Sequence, residues 1–178
     1  MIARAIVCGL MGAARLIELA ISRRNIQGNA ESVEGEWSRR TFPLIVALHT
    51  TVITGTLLRG RRMRLRWLLL LVAAQPLRAW ALLSLGRNWN ARGAVASDMD
   101  VVTTGPYALI RHPNYAVVVV ELAALPAAFG LGRLAAMATL ANIVLLKIRI
   151  RDEEGLLFQV PAYARHFRNK RRFLPFLF

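Results

Sequence analysis

Arg111, His112, Pro113, Asn114 and Tyr115 follow one another just ahead of a long apolar run, with Thr104, Gly105, Pro106 and Tyr107 a few residues before them. A second set, Arg149 and Glu153, stands four residues apart, a spacing that puts a guanidinium and a carboxylate on one face of a helix. Together these residues offer aromatic faces, an imidazole, a carboxylate and a guanidinium. The sequence shows no serine nucleophile arrangement, no glycine-rich phosphate loop and no set of metal ligands. The mixture suits a pocket that binds a small cofactor and orients a group transfer, and does not suit hydrolysis by a triad or a metal. Taken alone, the Arg149 and Glu153 pair reads as an ordinary salt bridge at the membrane surface, worth about 0.3–0.5 kcal/mol if exposed. Its meaning depends on whether the loop meets it.

A membrane bundle would bring the two together. Of 178 residues, 56% are apolar, above the roughly 45–50% usual for soluble domains. Five runs, 2–21, 41–58, 67–85, 115–131 and 133–150, approach the roughly 20 residues that cross a bilayer as a helix. Proline fits the first turn of a helix, so the fourth can begin after Pro113, which leaves the motif loop at the membrane interface. Phe129, Gly130, Leu131 and Gly132 read as a tight turn between the fourth and fifth. The expected fold is therefore all-α: a polytopic membrane protein of about five transmembrane helices, the last two forming a hairpin. Residues 1–178 make a single domain, with the cofactor-binding part at about 86–178. Both ends of the hairpin return to one interface, where Tyr107, His112 and Tyr115 would meet the face carrying Arg149 and Glu153.

Charge agrees with a lipid environment. The net charge of +14 sits at the ends of apolar runs instead of on a polar domain, which favours anionic headgroups over nucleic acid as the partner. The single cysteine, Cys8, excludes an internal disulfide and a cysteine-based zinc cluster. Arg4 ahead of a short apolar stretch resembles a signal peptide, but residues 12–14 make a poor cleavage site, so the segment is read as a retained span. With the motif loop and the tail on the cytoplasmic side, that side carries fifteen Lys and Arg against seven on the other, as the positive-inside rule requires. The arginines at 59, 61, 62, 64 and 66 oppose the rule, so either their loop is an exception or one of the first three segments fails to cross. The protein is expected in a bacterial-type cytoplasmic membrane with its site facing the cytoplasm. Oligomeric state is not legible.

Charges inside spans need partners or a cavity. Arg15 and Glu18, three apart, are read as a mutual ion pair. His49, Arg78 and Glu121 have no local partner, and either bond between helices or line a polar pocket. His49 and Glu121 are accordingly candidate linings for a lipophilic acceptor. The loop at 22–40, of mixed charge, is expected to be a solvated segment.

The motifs resemble those of the isoprenylcysteine carboxyl methyltransferase family of integral-membrane enzymes. The likeness rests on Thr103 to Tyr107, on Arg111 to Tyr115, and on Arg149 with Glu153 and Glu154 after a helical hairpin. It implies S-adenosylmethionine as cofactor, contacted by Val101, Val102, Tyr107, His112, Pro113, Asn114, Tyr115 and Glu153, and Arg149 as the catalytic residue facing a lipophilic acceptor. In the tail, His166 stands where the family usually has a second tyrosine after the one matching Tyr163. In the N-terminal half, Arg15 to Glu18, Ser22 to Asn25, Leu48 to Thr50, and Arg78 onward to Asn90 resemble a bacterial branch associated with type III polyketide synthases. That likeness implies O-methylation of alkylpyrones or alkylresorcinols. Other acceptors of the family, prenylcysteine carboxylates and phospholipid amines, stay open. An NADPH-dependent reductase of sterol-like lipids shares the His-Pro-Asn-Tyr element, and Arg168 to Arg172 could hold its nucleotide phosphate. A non-enzymatic lipid-binding protein would use the same motifs as caps and anchors.

Overall fold

In the computed structural model, which describes residues 1–29, 32–96 and 99–173, five long helices form the body. They are α1 (Ile2–Gly28), α2 (Glu36–Arg59), α3 (Leu65–Leu85), α4 (Pro113–Ala128) and α5 (Gly132–Leu157), followed by a short α6 (Pro161–Phe167). The strands β1 (Ser32–Glu34) and β2 (Ala94–Ala96) pair antiparallel, with Val33 opposite Val95. This ribbon ties the loop after α1 to the loop after α3.

Helix α4 is the hub, buried along ten of its sixteen residues and packed against α2, α3 and α5. The outer helices turn apolar side chains outward: Leu10, Leu16 and Ile17 on α1, Leu69 and Leu83 on α3, and Met137, Leu140 and Val144 on α5 are all exposed. A surface of this kind is what lipid solvates, since all backbone polar groups are satisfied inside the helices. Three helices, α1 to α3, are long and apolar enough to cross a membrane. Length and composition stop there: sixteen residues give α4 a rise of about 24 Å, short of a hydrocarbon core of about 30 Å. The expected five spans are thus three by this measure, with α4 and α5 present as a helical hairpin.

The hairpin turn is local chemistry. Gly130 adopts φ +80°, its N–H bonds the Ala127 carbonyl, and the Leu131 N–H bonds the Pro126 carbonyl at 2.9 Å. This is the Schellman pattern that closes a helix with glycine in the left-handed region. The arginine-rich loop packs on it: Arg61 N–H donates to the Phe129 carbonyl at 2.9 Å and Arg64 N–H to the Ala128 carbonyl at 2.7 Å. Arg4 donates to the Gly60 carbonyl. The start of α1, the arginine loop and the hairpin turn therefore share one end of the bundle, so α1, α2 and α3 each run its length. The ribbon, the motif loop, α6 and the tail occupy the other end.

The loop expected to be solvated at 22–40 is mostly helical: α1 continues to Gly28 and α2 begins at Glu36. Arginine, glutamine and glutamate are good helix formers, so the helices extend past their apolar stretches into the polar layer. Asp152, from α5, accepts a hydrogen bond from the Ser38 N–H at 2.7 Å and so satisfies one of the free donors at the start of α2.

Candidate active site

His112 and Pro113 open α4, with the proline at the first helical position as its missing N–H requires. One turn on, the Tyr115 hydroxyl accepts from Arg149 Nε at 2.9 Å and donates to a carboxylate oxygen of Glu153. The guanidinium also lies 5.8 Å from the Tyr115 ring centre. The expected meeting of loop and hairpin thus occurs, but through a tyrosine hydroxyl set between Arg149 and Glu153; among the described residues these two form no direct ion pair.

Glu154, one residue on, faces elsewhere, because neighbours on a helix point about 100° apart. It bonds His112 Nε2 and Arg111, both at 3.1 Å, and Arg172 from the tail. Burial raises its carboxyl, but the bonds from His112 and Arg172 outweigh that and hold it down at about 2. Glu154 lies past the apolar part of α5. The same junction is sealed by the backbone: Arg111 N–H donates to the Arg171 carbonyl and His112 N–H to the Arg172 carbonyl, each at 2.9 Å. His112 stacks on Tyr115 at 5.2 Å between ring centres. The imidazole is therefore fixed on both sides.

A cavity of about 430 Å³ opens over this arrangement. Val101, Val102, Tyr107, His112, Asn114, Tyr115, Arg149 and Glu153 all line it. Pro113 does not; it is buried and serves to start α4. His49 lines the cavity, with Nδ1 2.9 Å from the carbonyl of Ile45 on its own helix. Glu121 corrects its expected role as an acceptor contact. It borders a separate small void instead, and its carboxylate is spent on Arg15 at 3.4 Å, Arg78 at 3.2 Å and Gln75 at 3.1 Å. Arg15 pairs with Glu18 at 3.0 Å, as expected, and Arg78 joins Glu18 through two bonds of 2.7 Å. Two arginines and two glutamates from α1, α3 and α4 thus form a charge-balanced quartet at the cavity wall, with Arg78 and Glu121 buried and Arg15 and Glu18 half-buried.

Several lining residues had no site role assigned from the sequence. Asn90 folds the loop after α3 by accepting from the N–H groups of Arg92 and Ala94, at 3.1 and 2.9 Å. That turn presents the Ala91 carbonyl to Arg149. Gly93, at φ +70°, permits the approach: a Cβ there would lie 3.2 Å from both Arg149 Nη2 and Glu153 Oε2. Tyr163 of α6 also lines the cavity, and burial raises its phenol, as it does that of Tyr107, well above the ordinary value. Both stay protonated. Among the described residues the Tyr163 hydroxyl and Asn114 Oδ1 are buried without hydrogen-bond partners. Such groups are costly unless a ligand meets them.

A family model described as the isoprenylcysteine carboxyl methyltransferase (ICMT) family matches residues 67–159, about half of the chain. The chain is also 32% identical over 150 residues to the uncharacterized protein YpbQ of Bacillus subtilis (strain 168), a match covering 80% of this chain and 89% of that one.

Proposed function

The chain belongs to the isoprenylcysteine carboxyl methyltransferase family and is an integral-membrane methyltransferase, and we propose that it moves a methyl group from S-adenosylmethionine to an oxygen of a lipophilic acceptor. Family members generally use this cofactor. The observation that carries the reading is the Glu153–Tyr115–Arg149 chain at the wall of a cavity within the 300–1,000 Å³ usual for small-molecule sites. The donor set fits the cofactor: a carboxylate for its α-amino group, aromatic rings for its base, and the unmet Asn114 oxygen and Tyr163 hydroxyl for its remaining polar atoms.

When bound, the cofactor supplies an electrophilic sulfonium methyl, so the protein has mainly to align a nucleophile and exclude water. Glu153 holds the α-amino group. Tyr107 and Tyr115 pack against or bond the adenosine, and the backbone at Val101 and Val102 borders it. The tie to Glu154 makes His112 a positioning residue. Arg149 faces the acceptor, where its positive charge favours the ionised form of a phenol or enol, or holds a carboxylate. The acceptor enters from the lipid, past His49. An alkylpyrone or alkylresorcinol suits this geometry, since the hydroxyl on its ring can reach Arg149 while its chain remains among apolar side chains. The excess of Lys and Arg at the ribbon end supports a cytoplasmic site in a bacterial-type membrane.

Titration calorimetry with S-adenosylmethionine tests the binding half: Glu153→Gln is expected to weaken affinity by about tenfold or more, the loss of one charge-assisted bond. Unchanged affinity would remove Glu153 from the cofactor site. Arg149→Ala is expected to lower turnover much more than cofactor affinity, measured by transfer of labelled methyl to a lipid acceptor.

A further inference from the structure

Asn142 stands on α5 in the stripe that continues through Leu146, Arg149 and Glu153, and all four line the cavity. Spacings of four, three and four keep these positions on one helix face. Asn142 is fully buried at 0% exposure, yet among the described residues neither its Oδ1 nor its Nδ2 has a hydrogen-bond partner. A primary amide left unmet in a lipid-embedded bundle is costly, and an apolar residue of similar size would avoid the cost. The rest of the cavity lining is largely apolar, with Leu16, Leu19, Val46 and Ile53 in it beside the charged Arg15, Glu18 and Arg78. The amide is thus a donor and an acceptor in the wall of a mainly apolar cavity.

We propose that Asn142 is a specificity residue whose amide hydrogen-bonds a hydroxyl or ketone oxygen carried on the acceptor's lipid chain. The inference rests on the methyltransferase reading and adds the substrate class: oxygenated lipids instead of plain alkyl ones. Asn142 and Arg149 are seven positions apart on the helix, so the second oxygen lies about 10 Å along the cavity from the one that receives the methyl group.

The test uses the full chain in detergent and two matched probes: a 5-alkylresorcinol with a saturated chain, and the same lipid with one in-chain ketone about 10 Å from a ring hydroxyl. Affinity is read from tryptophan fluorescence, independently of methyl transfer. The ketone probe is expected to bind the wild-type protein about tenfold more tightly than the plain probe, and the ratio to fall to about one in Asn142→Leu. A wild-type ratio near one overturns the proposal, whether or not the variant folds. So does a tenfold ratio that persists in Asn142→Leu or, should that variant not fold, in Asn142→Ala. Turnover of both probes with labelled S-adenosylmethionine separates the two readings. A tenfold ratio lost on substitution, with no methyl transfer to either lipid, keeps the subsite and removes the resorcinol as acceptor. Methyl transfer to both at a ratio of one removes the subsite and keeps the enzyme.

Discussion

Replacing Arg78 by methionine should unbalance the charged quartet. The substitution deletes two hydrogen bonds of 2.7 Å to Glu18 and one of 3.2 Å to Glu121. It leaves two carboxylates, with side chains 13% and 2% exposed, sharing Arg15 alone. Removing one partner of a largely buried ionic group leaves an uncompensated, poorly solvated charge, a loss of about 3–5 kcal/mol. An exposed pair would lose only about 0.2–1 kcal/mol. Pairing Arg78→Met with Glu18→Gln restores neutrality as one arginine with one carboxylate. The double variant should then lose less than the two single variants added together, by about 1–3 kcal/mol. Denaturant unfolding in mixed micelles, followed by circular dichroism, measures all four corners of this cycle. A single-variant loss under about 1 kcal/mol, or additive behaviour in the double, would show that the quartet is solvated and refute the argument. Arg15, Glu18 and Arg78 also line the cavity, so the unbalanced variant should bind lipid acceptors less well.

Two other outcomes follow from the site. Gly93→Ala forces a side chain into the left-handed region, a cost of about 1–2 kcal/mol, and sets its Cβ 3.2 Å from Arg149 and Glu153. Melting temperature and methyl transfer should both fall, and unchanged turnover would show that the loop does not position Arg149. The Glu154 carboxyl, held at about 2 against an ordinary 4.5, stabilises the docked tail fully above its ordinary value and loses that contribution as pH falls from about 4.5 toward 2. The protection factors of the Arg111 and His112 amides, which bond the tail, corrected for the intrinsic pH dependence of exchange, should fall across that window in the wild type and remain flat in Glu154→Gln.

Much of the site could be read from the chain because it rests on local rules. Pro113 fits the first turn of a helix, and the four-residue step from Arg149 to Glu153 keeps both on one face in any helix. Gly130 closes the hairpin that carries the two sets to the same end. Arg15 and Glu18 also pair as a three-residue spacing permits. The tertiary structure decided what depends on distant segments meeting. It set the Tyr115 hydroxyl between Arg149 and Glu153, and it gave Glu154 to His112 and the tail. It drew Glu121 away from the cavity into a four-charge cluster, and left the Asn142 amide without a partner among the described residues. The physical reason is that side-chain period fixes which residues share a face. Which other helix faces them, and whether a buried polar group is satisfied, follows only from packing across the whole bundle.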